Sequence, residues 1–69
     1  MTSDDMRRWR KSMGFTQRAA AAELGIALPT YQAMERGTAW ATGKPVEIDR
    51  RTALACAALR AGLAPEGGG

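Results

Sequence analysis

Histidine is absent from this 69-residue sequence, and cysteine occurs once, as Cys56. A lone cysteine excludes an intramolecular disulfide, and without histidine there is neither a Cys/His cluster of metal ligands nor a histidine base for catalysis. The sequence also lacks a glycine-rich phosphate loop and a convincing pair of carboxylates. We therefore expect no enzymatic activity, no metal, no cofactor and no small-molecule ligand, and we interpret Cys56 as a packing residue rather than a nucleophile.

Long hydrophobic stretches are missing as well, because no run of about 18 apolar residues, the length that spans a membrane, occurs. The N-terminus has Thr2-Ser3-Asp4-Asp5 in place of the basic and then apolar segment of a secretory signal. These absences predict a cytoplasmic protein with no membrane partner. The chain is long enough for one small domain with a marginally stable core, so self-association is the expected source of further stability.

The charge of the chain is positive, since ten Lys and Arg against seven Asp and Glu give a formal net charge of +3. Most of the basic residues fall into an early group (Arg7, Arg8, Arg10, Lys11 and Arg18) and a middle group (Arg36, Lys44, Arg50 and Arg51). A basic excess attracts polyanions. The charge therefore favours nucleic acid as a partner.

Capping residues and hydrophobic periodicity predict the helices. Ser3 is the expected N-cap of the first helix, in which Met6, Trp9, Arg10 and Met13 recur on one face. Arg10 is the only charged member of that face. Glycines end the first three predicted helices, at Gly14, Gly25 and Gly37. We predict helices at 3–13, 16–24, 28–36 and 50–61, within one folded domain at 3–63 that is followed by a disordered tail at 64–69.

The second and third predicted helices are short and lie close together in the sequence. Ala20 and Ala21 make the second helix thin enough for another helix to cross it closely. Between the third and last helices, residues 38–48 are predicted to form a loop with a hairpin-like turn at Gly43-Lys44. Trp40 in this loop is expected to pack under the loop, or else to touch DNA or a second subunit.

Two short helices between a capping helix and a C-terminal helix form the helix-turn-helix arrangement. A closer pattern is carried by Phe15-Thr16-Gln17, Ala21, Leu24-Gly25-Ile26, Tyr31 and Met34-Glu35-Arg36-Gly37. In this pattern the chain resembles the Cro/C1-type (XRE) family of phage and bacterial regulators. The resemblance implies an all-α, four- to five-helix bundle with a lambda-repressor-like helix-turn-helix domain. The long loop and the alanine-rich last helix also resemble, more weakly, small autoregulators found beside anti-CRISPR genes in phages.

The resemblance also implies roles for individual residues. An arginine of the first helix pairs in this family with a glutamate of the third, which corresponds to an ion pair between Arg10 and Glu35. The third helix would enter the major groove, where Gln32 and Thr30 would bond to base edges, while Gln17 would meet a phosphate. The implied DNA-binding residues are Gln17, Arg18, Leu28, Thr30, Gln32, Arg36, Thr38 and Lys44.

The last helix is apolar on every face between Ala53 and Leu59, which predicts a second partner besides its own core. The family's inward positions correspond to Leu54, Ala57, Ala58 and Leu63, which leaves Ala55, Cys56 and Leu59 as the expected dimer interface. We predict a homodimeric transcriptional regulator, a repressor, that binds an inverted-repeat operator in double-stranded DNA. The alternative is an antitoxin or adaptor of the same fold, which docks on a protein through its Leu28-Pro29 surface.

Overall fold

The computed structural model describes residues 1–39 and 41–63, which form an all-α domain. Its helices are α1 (Ser3–Met13), α2 (Gln17–Leu24), α3 (Leu28–Arg36) and α4 (Arg50–Arg60). The predicted all-α fold is confirmed, and the predicted bounds differ by one residue at the start of α2 and at the end of α4. None of the described helices is long and apolar enough to cross a membrane. Trp40 and the predicted tail at 64–69 lie outside the described residues.

The N-cap of α1 corrects a prediction, because Thr2 rather than Ser3 occupies it. The Thr2 hydroxyl accepts a hydrogen bond from the Asp5 backbone N–H at 3.1 Å, and the Asp5 carboxylate accepts one from the Thr2 N–H at 2.8 Å. This reciprocal capping box needs an acidic or amide side chain three residues after the cap. Asp5 stands in that position for Thr2, whereas Met6 stands there for Ser3. The cap is therefore Thr2, and Ser3 is the first residue of α1.

The core lies where the four helices meet. Its buried apolar side chains are Met6 and Trp9 of α1, Ala20 and Ala21 of α2, Tyr31 and Met34 of α3, and Cys56 of α4. The two small alanines of α2 allow α3 to pack closely against it, as a crossed pair of helices requires. Trp9 joins α1 to α4, since its indole N–H donates a hydrogen bond to the Cys56 carbonyl oxygen at 3.0 Å.

The orientation of α4 corrects the predicted dimer interface. Cys56 is only 2% exposed and belongs to the core, and Leu59 packs against the core beside it, while Ala55 is half-buried. The two leucines expected to face inward are exposed instead, Leu54 by 55% and Leu63 by 63%. The close approach of Trp9 to the α4 backbone explains the difference, because a small side chain at position 56 leaves room for the indole.

The loop between α3 and α4 folds back on itself. Thr38 and Pro45 form an isolated antiparallel bridge. The Ala39 N–H donates to the Lys44 carbonyl oxygen, and the Gly43 N–H donates to the Ala39 carbonyl oxygen, both at 2.8 Å. Gly43 has a φ of +67°, which a glycine adopts without strain. A hairpin-like turn is present, but it lies at Ala41-Thr42, just before the predicted Gly43-Lys44. It holds Lys44 near the C-terminal end of α3.

Candidate nucleic-acid interface

A surface groove runs between α1, α2 and α3 and has a volume of about 860 Å³. Side chains from all three helices line it: Arg7 of α1, Gln17 of α2, and Pro29, Gln32, Glu35 and Arg36 of α3. Three of these residues, Gln17, Gln32 and Arg36, were predicted to bind DNA. The groove therefore brings together predicted site residues that are up to 19 positions apart in the sequence, from Gln17 to Arg36.

Glu35, which lines this groove, forms an ion pair that joins α1 to α3. Arg10 Nε lies 2.6 Å from Glu35 Oε2, and Arg10 Nη2 lies 3.3 Å from Glu35 Oε1. The side chains are only 17% and 5% exposed. The third contact of the guanidinium is the Phe15 carbonyl oxygen, which accepts from Nη1 at 3.2 Å. The charged residue on the apolar face of α1 thus has a partner, as a buried charge requires.

The environment of Glu35 keeps its carboxyl group ionised. Burial by itself raises the pKa of Glu35, but the groups of Arg10, Tyr31 and Gln17 that face the carboxylate outweigh this effect. The pKa therefore lies below the ordinary value of 4.5. Burial raises the pKa of the neighbouring Tyr31, and the Glu35 carboxylate raises it further, so the phenol stays protonated at neutral pH.

Gln17 is the first residue of α2, and its side chain is held at both ends. Its Nε2 donates to Glu35 Oε1 at 3.1 Å, and its Oε1 accepts a hydrogen bond from Gln32 Nε2 at 3.4 Å. The Thr16 hydroxyl caps the same turn by accepting from the Ala19 N–H at 3.0 Å. The start of α2 and the exposed face of α3 are consequently fixed relative to each other by side-chain amides.

The outer face of α3 has few polar groups. Thr30 and Gln32 are exposed, as is Pro29 between them and the helix start. Leu28 was also predicted to contact DNA, but it is half-buried and packs against the core. Only part of the Leu28 side chain can therefore reach a ligand on this face.

Three further predicted residues do not line the groove. Arg18 and Lys44 are exposed, and Thr38 is half-buried, and none of the three is among the described residues that line the groove. Arg36 lines it and donates from Nε to the Thr38 carbonyl oxygen at 3.1 Å. The bridge between Thr38 and Pro45 thus positions the loop against the last residue of α3.

Arg7 lines the groove although it was not predicted as a site residue. Its Nη2 donates to the Glu35 carbonyl oxygen at 3.1 Å and lies 3.3 Å from Asp4 Oδ1. In the sequence Arg7 is one of several basic residues of α1, and nothing in their spacing separates it from Arg8. The distinction depends on the rotation of α1, which Met6 and Trp9 set by facing the core.

Comparison with protein families identifies the domain that carries this groove. A family model described as helix-turn-helix matches residues 6–47, which is more than half of the chain. The chain belongs to the Cro/C1-type (XRE) helix-turn-helix family. XRE domains bind DNA and are not enzymes, so double-stranded DNA is the partner that the domain implies. No curated protein and no solved structure matches the chain significantly.

Membership of the XRE family identifies which helices form the helix-turn-helix motif. α2 and α3 are the two helices of the helix-turn-helix, and α3 is the helix that enters the major groove in this motif. The expectation of a lambda-repressor-like fold without enzymatic activity is therefore confirmed. The weaker resemblance of the loop and α4 to small phage autoregulators stays a prediction.

Proposed function

We propose that this XRE protein is a transcriptional repressor that binds an inverted-repeat operator as a homodimer. The observation that carries the proposal is the hydrogen bond between Gln17 of α2 and Gln32 of α3. It aligns the N-terminus of α2, where backbone N–H groups favour a phosphate, with the exposed face of α3. A duplex that receives α3 in its major groove would then meet both helices at once.

The phosphate contacts in this proposal come from both sides of α3. Gln17 and Arg18 would hold one backbone at the start of α2, and Arg36 and Lys44 would hold the other at the end of α3. Each of these residues is exposed or half-buried and can reach a ligand. Cations placed around a groove release counterions on binding, which makes the affinity depend strongly on salt.

Base recognition would be sparse, because Thr30 and Gln32 are the exposed polar side chains on the outer turns of α3 before Arg36. A glutamine can bond to the N6 and N7 of adenine, and apolar groups such as Pro29 and Ala33 pack on thymine methyl groups. We therefore expect a preference for A·T pairs at these steps. Thr38 and the exposed part of Leu28 would lie at the edge of the contact.

The dimer in this proposal uses the outward face of α4. With Cys56 in the core, this face presents Leu54 and Ala57, followed by Ala61 at the C-cap; all three are exposed and recur at helical spacing. A two-fold dimer would place two α3 helices about 34 Å apart, one turn of duplex, which is the geometry of an inverted repeat. Two half-sites also supply the contacts that a single small module lacks.

A protein-binding role as an antitoxin or adaptor is the alternative from the sequence. It needs an apolar docking surface at Leu28-Pro29, and the packing of Leu28 against the core makes that surface smaller. The polar, arginine-lined groove fits a polyanion better. We therefore favour DNA as the functional partner.

The test is a gel-shift titration against the DNA upstream of the protein's own gene, with a random duplex of equal length as the control. We expect tighter binding to the upstream duplex than to the random duplex at moderate salt. A selection from randomised duplexes would return two A·T-containing half-sites in inverted orientation. Equal affinity for both duplexes would favour the protein-binding alternative.

A further inference from the structure

We propose that Arg7 of α1 is a pre-positioned phosphate-binding residue at the C-terminal end of α3. This proposal rests on the proposed DNA binding and adds α1 to the helices that contact the duplex. Arg7 lies in the same groove as Gln17, Gln32 and Arg36, on the α1 side. A strand that follows the groove past α3 would therefore pass the Arg7 guanidinium.

The guanidinium of Arg7 is held in place by the end of the recognition helix. Its Nη2 donates to the Glu35 carbonyl oxygen. This oxygen lies in the last turn of α3, where no following turn of the helix supplies an N–H donor. A cation at this end also complements the helix dipole. The side chain therefore loses little conformational freedom when it binds a ligand, which is the benefit of preorganisation.

Arg7 keeps hydrogen-bonding capacity for a phosphate. A guanidinium has five N–H donors, and the two contacts of Arg7 both use Nη2. Within the described residues, no partner accepts from its Nε or Nη1. The side chain is 47% exposed, and its ion pair with Asp4 is a surface pair of little strength because Asp4 is 78% exposed. A phosphate can replace Asp4 as the anion.

The carboxylate in the groove does not oppose this role. Glu35 is the only acidic side chain that lines the groove among the described residues, and it forms an ion pair with Arg10. Arg7 and Arg36 thus meet a ligand in a groove whose lining carboxylate, that of Glu35, is already paired with Arg10. The groove is in consequence a suitable path for a polyanion.

Arg8 provides a matched control for this proposal. It is the next residue of the same helix and has a comparable ion pair, with Arg8 Nη2 2.8 Å from Asp5 Oδ1. However, Arg8 lines a different cavity, between α1 and α4, together with Trp9 and Cys56. Replacing Arg7 or Arg8 by methionine removes the same charge and keeps a similar aliphatic stem. Only position 7 faces the groove.

The experiment measures the dissociation constant of a random-sequence duplex by fluorescence anisotropy over a range of salt concentrations. We expect Arg7→Met to weaken binding about fivefold at moderate salt and to reduce the slope of log K against log salt by about one. We expect Arg8→Met to change the affinity less than twofold and to leave the slope near that of the wild type. Thermal unfolding is the control that checks whether each variant is folded.

A second variant keeps the test valid if Arg7→Met does not fold. Asp4→Asn leaves Arg7 in place and removes its competing carboxylate. It should therefore tighten binding more than Glu23→Gln, which removes the same charge from an exposed position of α2. Equal effects of the two arginine variants, or of the two acid variants, would overturn the role of Arg7 and leave DNA binding intact. Absence of salt-dependent binding by the wild type would instead overturn the proposed function.

Discussion

The guanidinium of Arg10 binds both carboxylate oxygens of Glu35, through Nε at 2.6 Å and Nη2 at 3.3 Å. The pair ties α1 to α3 across the inside of the domain. The same carboxylate also accepts from Gln17 at the start of α2. The stability of the fold and the geometry of the candidate nucleic-acid interface therefore both depend on the buried carboxylate of Glu35.

The first prediction concerns the cost of breaking this pair. Arg10→Ala leaves the Glu35 carboxylate buried without its cation, which should lower the free energy of unfolding by about 3 kcal/mol. In a domain of this size the melting temperature should fall by about 15 °C. Lys11→Ala is the control, because Lys11 is an exposed neighbour and should have little effect. Equal melting temperatures for the wild type and Arg10→Ala would contradict a stabilising role of the pair.

The second prediction concerns acid. The pKa of Glu35 is lower in the folded protein than its ordinary value of 4.5, so ionised Glu35 stabilises the folded state above that pH. This contribution is lost as the pH falls through the folded-state pKa. The capping carboxylates of Asp5 and Asp49 also have lowered pKa values, because each accepts hydrogen bonds at its helix start, and they act in the same direction.

Urea unfolding as a function of pH separates Glu35 from the two capping residues. The wild type should lose stability as the pH is lowered from about 5 to about 3. Glu35→Gln should be less stable at neutral pH. Its free energy of unfolding should also fall less steeply over that pH interval, because the contribution of Glu35 to the slope is missing. An unchanged slope in Glu35→Gln would show that Asp5 and Asp49 account for the acid sensitivity alone.

Much of the helix pattern could be predicted because local chemistry determines it. Thr16 and Asp49 cap the helices that follow them, and Gly14 takes the left-handed conformation that ends α1. Arg10 and Glu35 could be paired only through the family resemblance, since 25 positions separate them. Ser3 has the side chain of a good N-cap, but the capping box with Asp5 selects Thr2 instead.

The rotation of α4 could not be predicted from its sequence. Between Ala53 and Leu59 every face of the helix is apolar, so hydrophobicity does not distinguish the inner face from the outer one. The Trp9 indole decides it by bonding to the Cys56 carbonyl oxygen, and this contact spans 47 positions of the chain. Arg7 was missed for a similar reason, because its place in the groove follows from tertiary packing.

The third prediction tests the position of Cys56. Because the thiol is buried and burial raises its pKa, little reactive thiolate is exposed in the folded protein. Modification by a thiol reagent such as DTNB should be slow in native buffer and immediate in denaturant. The rate should not depend on protein concentration, since the protection comes from the chain's own core. Rapid modification of the native protein would contradict the buried position and show that Cys56 lies on an exposed surface of α4.

The fourth prediction distinguishes base contacts from phosphate contacts in the proposed complex. Gln32→Ala should reduce the preference for the selected operator over random duplex, because it removes an amide from the outer face of α3. Arg36→Ala should weaken binding to all sequences alike and reduce the salt slope by about one. Competition titrations with operator and random duplex measure both effects. Equal loss of preference in the two variants would contradict the division of roles.

The last prediction concerns the outward face of α4. Leu54 is 55% exposed, and its contacts with a second copy would bury it, so Leu54→Glu should prevent dimer formation without unfolding the monomer. Sedimentation equilibrium should find the wild type as a dimer at high micromolar concentration and Leu54→Glu as a monomer. Ala22→Glu, which places the same charge on an exposed position of α2, should remain dimeric. The monomeric variant should also bind the operator more weakly, because each molecule can then hold only one half-site. A wild type that is monomeric at high micromolar concentration would contradict the two-fold arrangement itself.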